Sequence, residues 1–149
     1  MRTTLKLSLT LTTILIGSLV GNAQDMQSKI ESSIKSKESN WVLAKKEVQP
    51  ESTIYRWKSD SDWVTMEVFV LGSAQLAKQK LAQYRRRVPV PPKEKLQEPG
   101  DESLLYQSDT GTSCMLLFRR AHLFVQLNSN TQVNAKRFAR HVNDLLADR

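Results

Sequence analysis

The chain has 149 residues, two histidines, a single cysteine and a formal net charge of +7. One cysteine, Cys114, excludes an intramolecular disulfide, so stability must come from packing. The basic surplus favours anionic partners over cationic ones.

Arg2 and Lys6 precede an apolar, Ser/Thr-rich run that ends at Gly21-Asn22-Ala23. A positive start, a short apolar middle and a small residue before a cut are the three parts of a secretory leader. Residues 1–23 are therefore read as a cleaved signal peptide and residues 24–149 as a single domain, periplasmic or secreted. The apolar run is shorter than the roughly 20 residues that span a bilayer, and the mature chain has no transmembrane segment. No cysteine stands at the cut, which disfavours a lipid anchor. Without Arg2 and Lys6 the 22 basic residues fall to 20 against 15 acidic, leaving +5.

In the mature chain, Met26, Ile30 and Ile34 recur at helical spacing over residues 25–37, with Asp25 as the expected N-cap. Residues 41–48 read as a strand, whose Lys45-Lys46-Glu47 end fits a helix equally well, and Pro50 breaks it. Ile54-Tyr55-Arg56-Trp57-Lys58 alternates aromatic and basic residues, and Ser59-Asp60-Ser61-Asp62 supplies a turn. In the long strand over residues 63–71, Val64, Met66, Val68 and Val70 share one face. Trp63, Phe69 and Leu71 lie on the other, with Thr65 and Glu67, so that face should be partly covered as well.

Gly72-Ser73 stops this strand and caps a helix whose Ala74, Ala77, Leu81, Tyr84 and Val88 form a buried stripe. Pro89 to Pro92 makes an extended connector, and residues 93–99 continue it as a charged loop. A turn at Pro99-Gly100-Asp101-Glu102 leads into a short strand at Leu104-Leu105-Tyr106, and Asp109-Thr110-Gly111 makes the next turn. Residues 113–127, SCMLLFRRAHLFVQL, form the clearest element: two apolar strands folded on Arg119-Arg120-Ala121-His122. Ser129 and Gln132 fit a capping box for a last helix carrying Ala135, Phe138, Ala139, Val142 and Leu146 on one side.

The pattern predicts an α+β fold: an antiparallel sheet of about six strands with about three helices packed on it. The plan of short strand, turn, strand and helix occurs twice, over residues 53–84 and 104–146, so the domain reads as a doubled strand-strand-helix unit. Strands apolar on both faces allow helices on both sides. Gly100-Asp101-Glu102, the tyrosine strand, the glycine turn and the F-R-R-x-x-L-F-V hairpin before a terminal helix resemble small secreted bacterial domains. The broader resemblance is to the Mog1/PsbP/LpqN-like fold group and covers mainly residues 99–146. It implies a non-catalytic accessory or binding role and carries over no catalytic residue.

The residues alone give little chemistry. Nucleophilic catalysis needs a Ser or Cys beside an oriented base, and His122 and His141 read as solvated side chains with no nucleophile elbow near them. Cys114 reads as a buried, inert thiol. Asp60 and Asp62, extended by Asp101, Glu102 or Asp109, lack the glycine and terminal glutamate of a calcium loop and read as turn residues. No metal or other cofactor is expected, and a hydrolase built on these carboxylates is the weakest alternative.

The basic residues are the better candidates. Arg85, Arg86 and Arg87 end the middle helix, Arg119 and Arg120 sit at the hairpin turn, and Arg56 and Lys58 flank Trp57. On a common face they would hold carboxylate or phosphate groups, with Trp57 or Tyr55 stacking on a sugar or base. The expectation is a secreted non-catalytic module of the bacterial envelope, with an envelope protein or an acidic polymer as partner and no genomic DNA. The alternative is a binder of acidic polymer or anionic surface through the arginine patch.

Overall fold

The computed structural model describes residues 11–147, with side chains described from residue 23 onward. The order of elements is α1 (Leu11–Lys37), β1 (Val42–Val48), β2 (Thr53–Ser59), β3 (Asp62–Val70), α2 (Ala74–Arg87), β4 (Glu94–Leu96), β5 (Glu102–Gln107), β6 (Cys114–Arg120), β7 (Leu123–Ser129) and α3 (Gln132–Ala147). All seven strands join one antiparallel open sheet in the order β1-β2-β3-β7-β6-β5-β4. The α+β class expected from the sequence is the one adopted.

The seventh strand is the unforeseen one. The charged stretch after Pro92 is no loop: Glu94–Leu96 pairs with β5, and the Lys93 amide donates to the Leu105 carbonyl at 2.7 Å. Its register follows from the reversal at Gly100, where φ is +84° and an added Cβ would lie 2.4 Å from the Arg119 carbonyl oxygen. Only glycine fits that approach. Three residues next to a proline run make a short, blunt edge, and the opposite edge, β1, carries Lys45, Lys46 and a register shift between Leu43 and Lys45. Short edges, lysines and bulges all discourage edge-to-edge aggregation.

Alternation within the strands sends apolar residues to both faces. One face carries Tyr55, Trp57, Val64, Met66, Val68, Leu116, Phe118 and Val125, and is closed by Met26, Ile30 and Ile34 of α1 and by Ala135, Phe138, Ala139 and Val142 of α3. Phe138 is the centre of this layer: its ring meets Trp41 edge-on at 4.8 Å and Trp57 at 6.1 Å. The other face carries Phe69, Phe124, Leu104, Tyr106 and Leu117 under Leu81 of α2, with Tyr84 partly buried beside them. Each large side chain taken fully out of water stabilises the fold by about 1.5–3 kcal/mol before chain entropy is subtracted.

The doubled plan holds along the chain, as a meander of three strands then α2 and a meander of four strands then α3. The two meanders meet at the β3–β7 pair, where Phe69 stands opposite Phe124. In space the copies differ, because α2 and α3 lie on opposite faces and both cover β6 and β7. The 113–127 hairpin is thus sandwiched, with Leu116, Leu117 and Phe118 in succession all fully buried.

Two expected caps are corrected. Of the residues assigned to a leader, 1–10 lie outside the described residues, and α1 passes unbroken from Leu11 through Asp25, which pairs with Lys29 at 2.7 Å inside the helix. For α3 the cap is Thr131, whose Oγ1 accepts from the Asn134 amide. Ser129 remains in β7, donating to the Trp63 carbonyl at 2.9 Å. Ser73 caps α2 as expected, accepting from the Leu76 amide. No helix among the described residues is long and apolar enough to cross a membrane.

Candidate functional site

Strand phase decides the fate of the expected basic-aromatic cluster. Tyr55 and Trp57 point into the layer beneath α1 and α3, and both are 0% exposed. Trp57 therefore presents no edge to solvent and meets Phe138 edge to face; its indole N–H is buried without a hydrogen-bond partner among the described residues. Tyr55 donates its hydroxyl to the Gln27 carbonyl, and burial, followed by the Glu31 charge, pushes its phenol well above its ordinary range. Arg56 and Lys58, one residue out of phase, emerge on the opposite face.

On that opposite face a different tryptophan waits. The two-residue turn at Asp60-Ser61 places Lys58 directly across from Trp63, and Arg56 across from Thr65. On the next strand Val42 stands opposite Lys58, and Lys45 opposite Arg56. Because α2 packs over β6 and β7, it leaves this β1–β2–β3 corner uncovered. Trp63 is 36% exposed and Val42 68%. Glu47 accepts from Arg56 Nη2 at 2.9 Å and pairs with Lys45 at 3.1 Å. Hydrogen bonds from Lys45 and then Arg56 hold its carboxyl below the usual range. Lys45, Arg56 and Lys58 thus meet Glu47 on the sheet and the exposed Asp60 in the adjoining turn, leaving the corner with a small basic excess. Arg85, Arg86 and Arg87, in the last turn of α2, lie on this side of the sheet, and the Arg87 guanidinium sits 5.4 Å from the Tyr84 ring centroid.

Arg119 and Arg120 serve another purpose. As successive strand residues they point to opposite faces. Arg119 is held by Asp101 and Glu102, each at 3.3 Å, and Arg120 reaches Asp101 at 3.9 Å. Asp101 also accepts from the Ala121 amide at 2.9 Å. This network clamps the hairpin tip to the Gly100 turn. The tip itself is two residues, Ala121-His122, because Arg119 and Arg120 are still paired within β6–β7.

Below this tip lies an open cleft of about 1030 Å³, at the other end of β3 from Trp63. Its walls are the stripe Leu76, Gln79, Lys80 and Gln83 of α2, the β1–β2 turn from Gln49 to Ser52, and Leu71 after β3, with Gln27 and His122 at its margins. Lys80 donates to Glu51 across the opening at 2.9 Å. Ser52 is 3% exposed and gives its hydroxyl proton to Glu67 Oε1 at 2.7 Å, so it is oriented by a carboxylate with no histidine between them.

The remaining reactive groups are committed elsewhere. Cys114 is buried, and burial pushes its thiol up. His141 is not the solvated side chain expected: its Nε2 lies 2.6 Å from Glu38 Oε1, which also forms an ion pair with the Arg137 guanidinium at 2.9 Å, fastening the end of α1 to α3. Asp62 accepts from Asn134 and Asn130, whose hydrogen bonds lower its pKa in that order. Asp62 opens β3, whereas Asp101 binds the turn at β3's far end, on the order of 25 Å away at 3.3 Å rise per residue. The carboxylates considered for hydrolysis are thus held apart, and neither lines the cleft. Among the described residues no group of three or more His, Cys, Asp or Glu side chains converges as metal ligands would.

No protein-family model, no curated protein and no solved structure matches the chain. Trp63 and the cleft are the candidate features that sequence reasoning missed. Counting register outward from the Asp60-Ser61 turn would have found Trp63; the cleft joins segments far apart in the chain and left no local signal.

Proposed function

We propose that the chain is a non-catalytic binding module of the bacterial envelope, periplasmic or secreted, whose ligand is an acidic polymer laid across the open corner of the sheet. One observation carries this reading: Lys58 beside the exposed Trp63, with Arg56 and Lys45 in the adjoining row, on the part of the face that α2 leaves bare. Strand spacing puts these side chains about 5 Å apart across the sheet and about 7 Å apart along it, comparable to the repeat of sugar units in a chain. Guanidinium and ammonium groups pair with carboxylates, and an indole face gives sugar rings an apolar platform.

The test uses polygalacturonate as the acidic polymer and dextran as its neutral control, followed by tryptophan fluorescence. Saturable binding should weaken as salt rises. The double variant Arg56→Gln/Lys58→Gln should weaken it by roughly tenfold. Arg119→Gln, which alters only the turn clamp, should leave affinity unchanged. Undiminished binding by the double variant, or equal binding of dextran, rejects the reading.

A further inference from the structure

The cleft at the other end of β3 has a chemistry of its own. Leu76, Gln79, Lys80 and Gln83 fall at i, i+3, i+4 and i+7 on α2, a second stripe beside the buried one formed by Ala77 and Leu81. Facing it across the opening are Gln49 and Glu51, with Gln27 on the α1 side. Four primary amides in one concavity offer both donors and acceptors, the complement of a peptide backbone. Apolar contact comes from Leu71 and from Leu76, which is 47% exposed. No Phe, Tyr or Trp belongs to the lining among the described residues, which argues for a peptide over a sugar.

The charged pair is unequal. Lys80 is 19% exposed, and its ammonium lies 4.6 Å from the Phe69 ring centroid, so it is held in place from below. Its carboxylate partner Glu51 is 73% exposed and sits in the β1–β2 turn, held by nothing else among the described residues. The cation is fixed and the anion is replaceable. An exposed ion pair of this kind contributes little to stability, so exchanging its carboxylate costs little.

We infer that the cleft binds the C-terminal end of a short peptide, whose carboxylate takes the place of Glu51 on Lys80 while Gln79, Gln83 and Gln49 pair with its amides. A small terminal side chain rests on Leu71 and Leu76. This site is separate from the basic corner and does not rest on it.

The test compares N-acetyl-Ala-Ala with its C-terminal amide by NMR titration of the nitrogen-15-labelled chain, reading the backbone and side-chain amide signals of Gln79 and Gln83. The free acid should give saturable shifts there, and the amide should bind about tenfold more weakly or not at all. Glu51→Gln, which removes the competing carboxylate, should tighten binding of the acid about threefold. Lys80→Met should abolish the difference between acid and amide. Arg56→Gln/Lys58→Gln should change nothing, which separates this site from the basic corner. Equal binding of acid and amide, weaker binding by Glu51→Gln, or no saturable shift at Gln79 and Gln83 overturns the inference.

Discussion

Along β2 and the first half of β3, residues buried beneath α1 and α3 alternate with residues on the face that α2 leaves partly open. Tyr55, Trp57, Val64 and Met66 are fully buried, while Arg56, Lys58 and Trp63 stay exposed on the side that α2 only partly covers. Two helices seal one face; one helix, placed over β6 and β7, leaves a corner of the other open. The same two strands therefore anchor the core with one set of side chains and present a charged, aromatic surface with the other. Stability and recognition should be separable by mutation within a single strand.

The largest expected effect sets the sealed face against the open one. Phe138→Ala removes the ring that joins Trp41 and Trp57 and should cost about 3–5 kcal/mol in urea unfolding. Trp63→Ala should cost clearly less, about 1–2 kcal/mol, while reducing affinity for polygalacturonate. Comparable losses in the two variants would break the distinction between the faces.

A second effect concerns the turn that sets the β4–β5 edge. Gly100→Ala introduces a Cβ at a φ of +84° and against the Arg119 carbonyl, and should destabilise by more than about 1 kcal/mol. At the hairpin tip the opposite exchange should help. Ala121 holds a φ of +48°, where glycine is at ease and alanine is strained, so Ala121→Gly should stabilise by up to about 1 kcal/mol. Thermal unfolding of both variants checks the pair, and a destabilised Ala121→Gly would show that the strain is not there.

The smallest effect is electrostatic. Lys35 and then Lys46 lower the Glu31 carboxyl, Lys45 and then Arg56 lower Glu47, Lys80 lowers Glu51, and Asn134 and then Asn130 lower Asp62. A carboxyl whose folded pKa lies below its unfolded one contributes stability above the unfolded value, and loses that contribution as pH falls through the folded value. Melting temperature should therefore be flat near neutrality and fall below about pH 4. The part of the fall due to the lysine and arginine pairs should shrink in high salt, whereas the part due to Asp62, bonded to neutral amides, should persist.

Periodicity made most of the fold legible. The stripes Met26-Ile30-Ile34 and Ala135-Phe138-Ala139-Val142 are buried as expected, because a helix of 3.6 residues per turn can hide only such a set. The two-face apolarity of β3 allowed helices on both sides, and both sides carry them. Residues 94–96 gave no such signal, since a short edge strand owes its existence to its neighbour β5 more than to its own side chains. The site was less legible. Alternation showed that Arg56 and Trp57 part company, yet which of them faces water depends on which helix covers which face, and that is settled by tertiary packing. Likewise, the arginines of the hairpin looked available only because their carboxylate partners, Asp101 and Glu102, lie 17 residues or more away in sequence.

The central claim is that an acidic polymer lies on the open corner. Its most direct test is a backbone-amide NMR footprint of the nitrogen-15-labelled chain titrated with polygalacturonate at low salt. Shifts concentrated at Val42, Lys45, Arg56, Lys58, Trp63 and Thr65, extending to the last turn of α2, are the predicted result. Shifts centred on Arg119 and Arg120, or spread evenly over every exposed lysine and arginine, would contradict it.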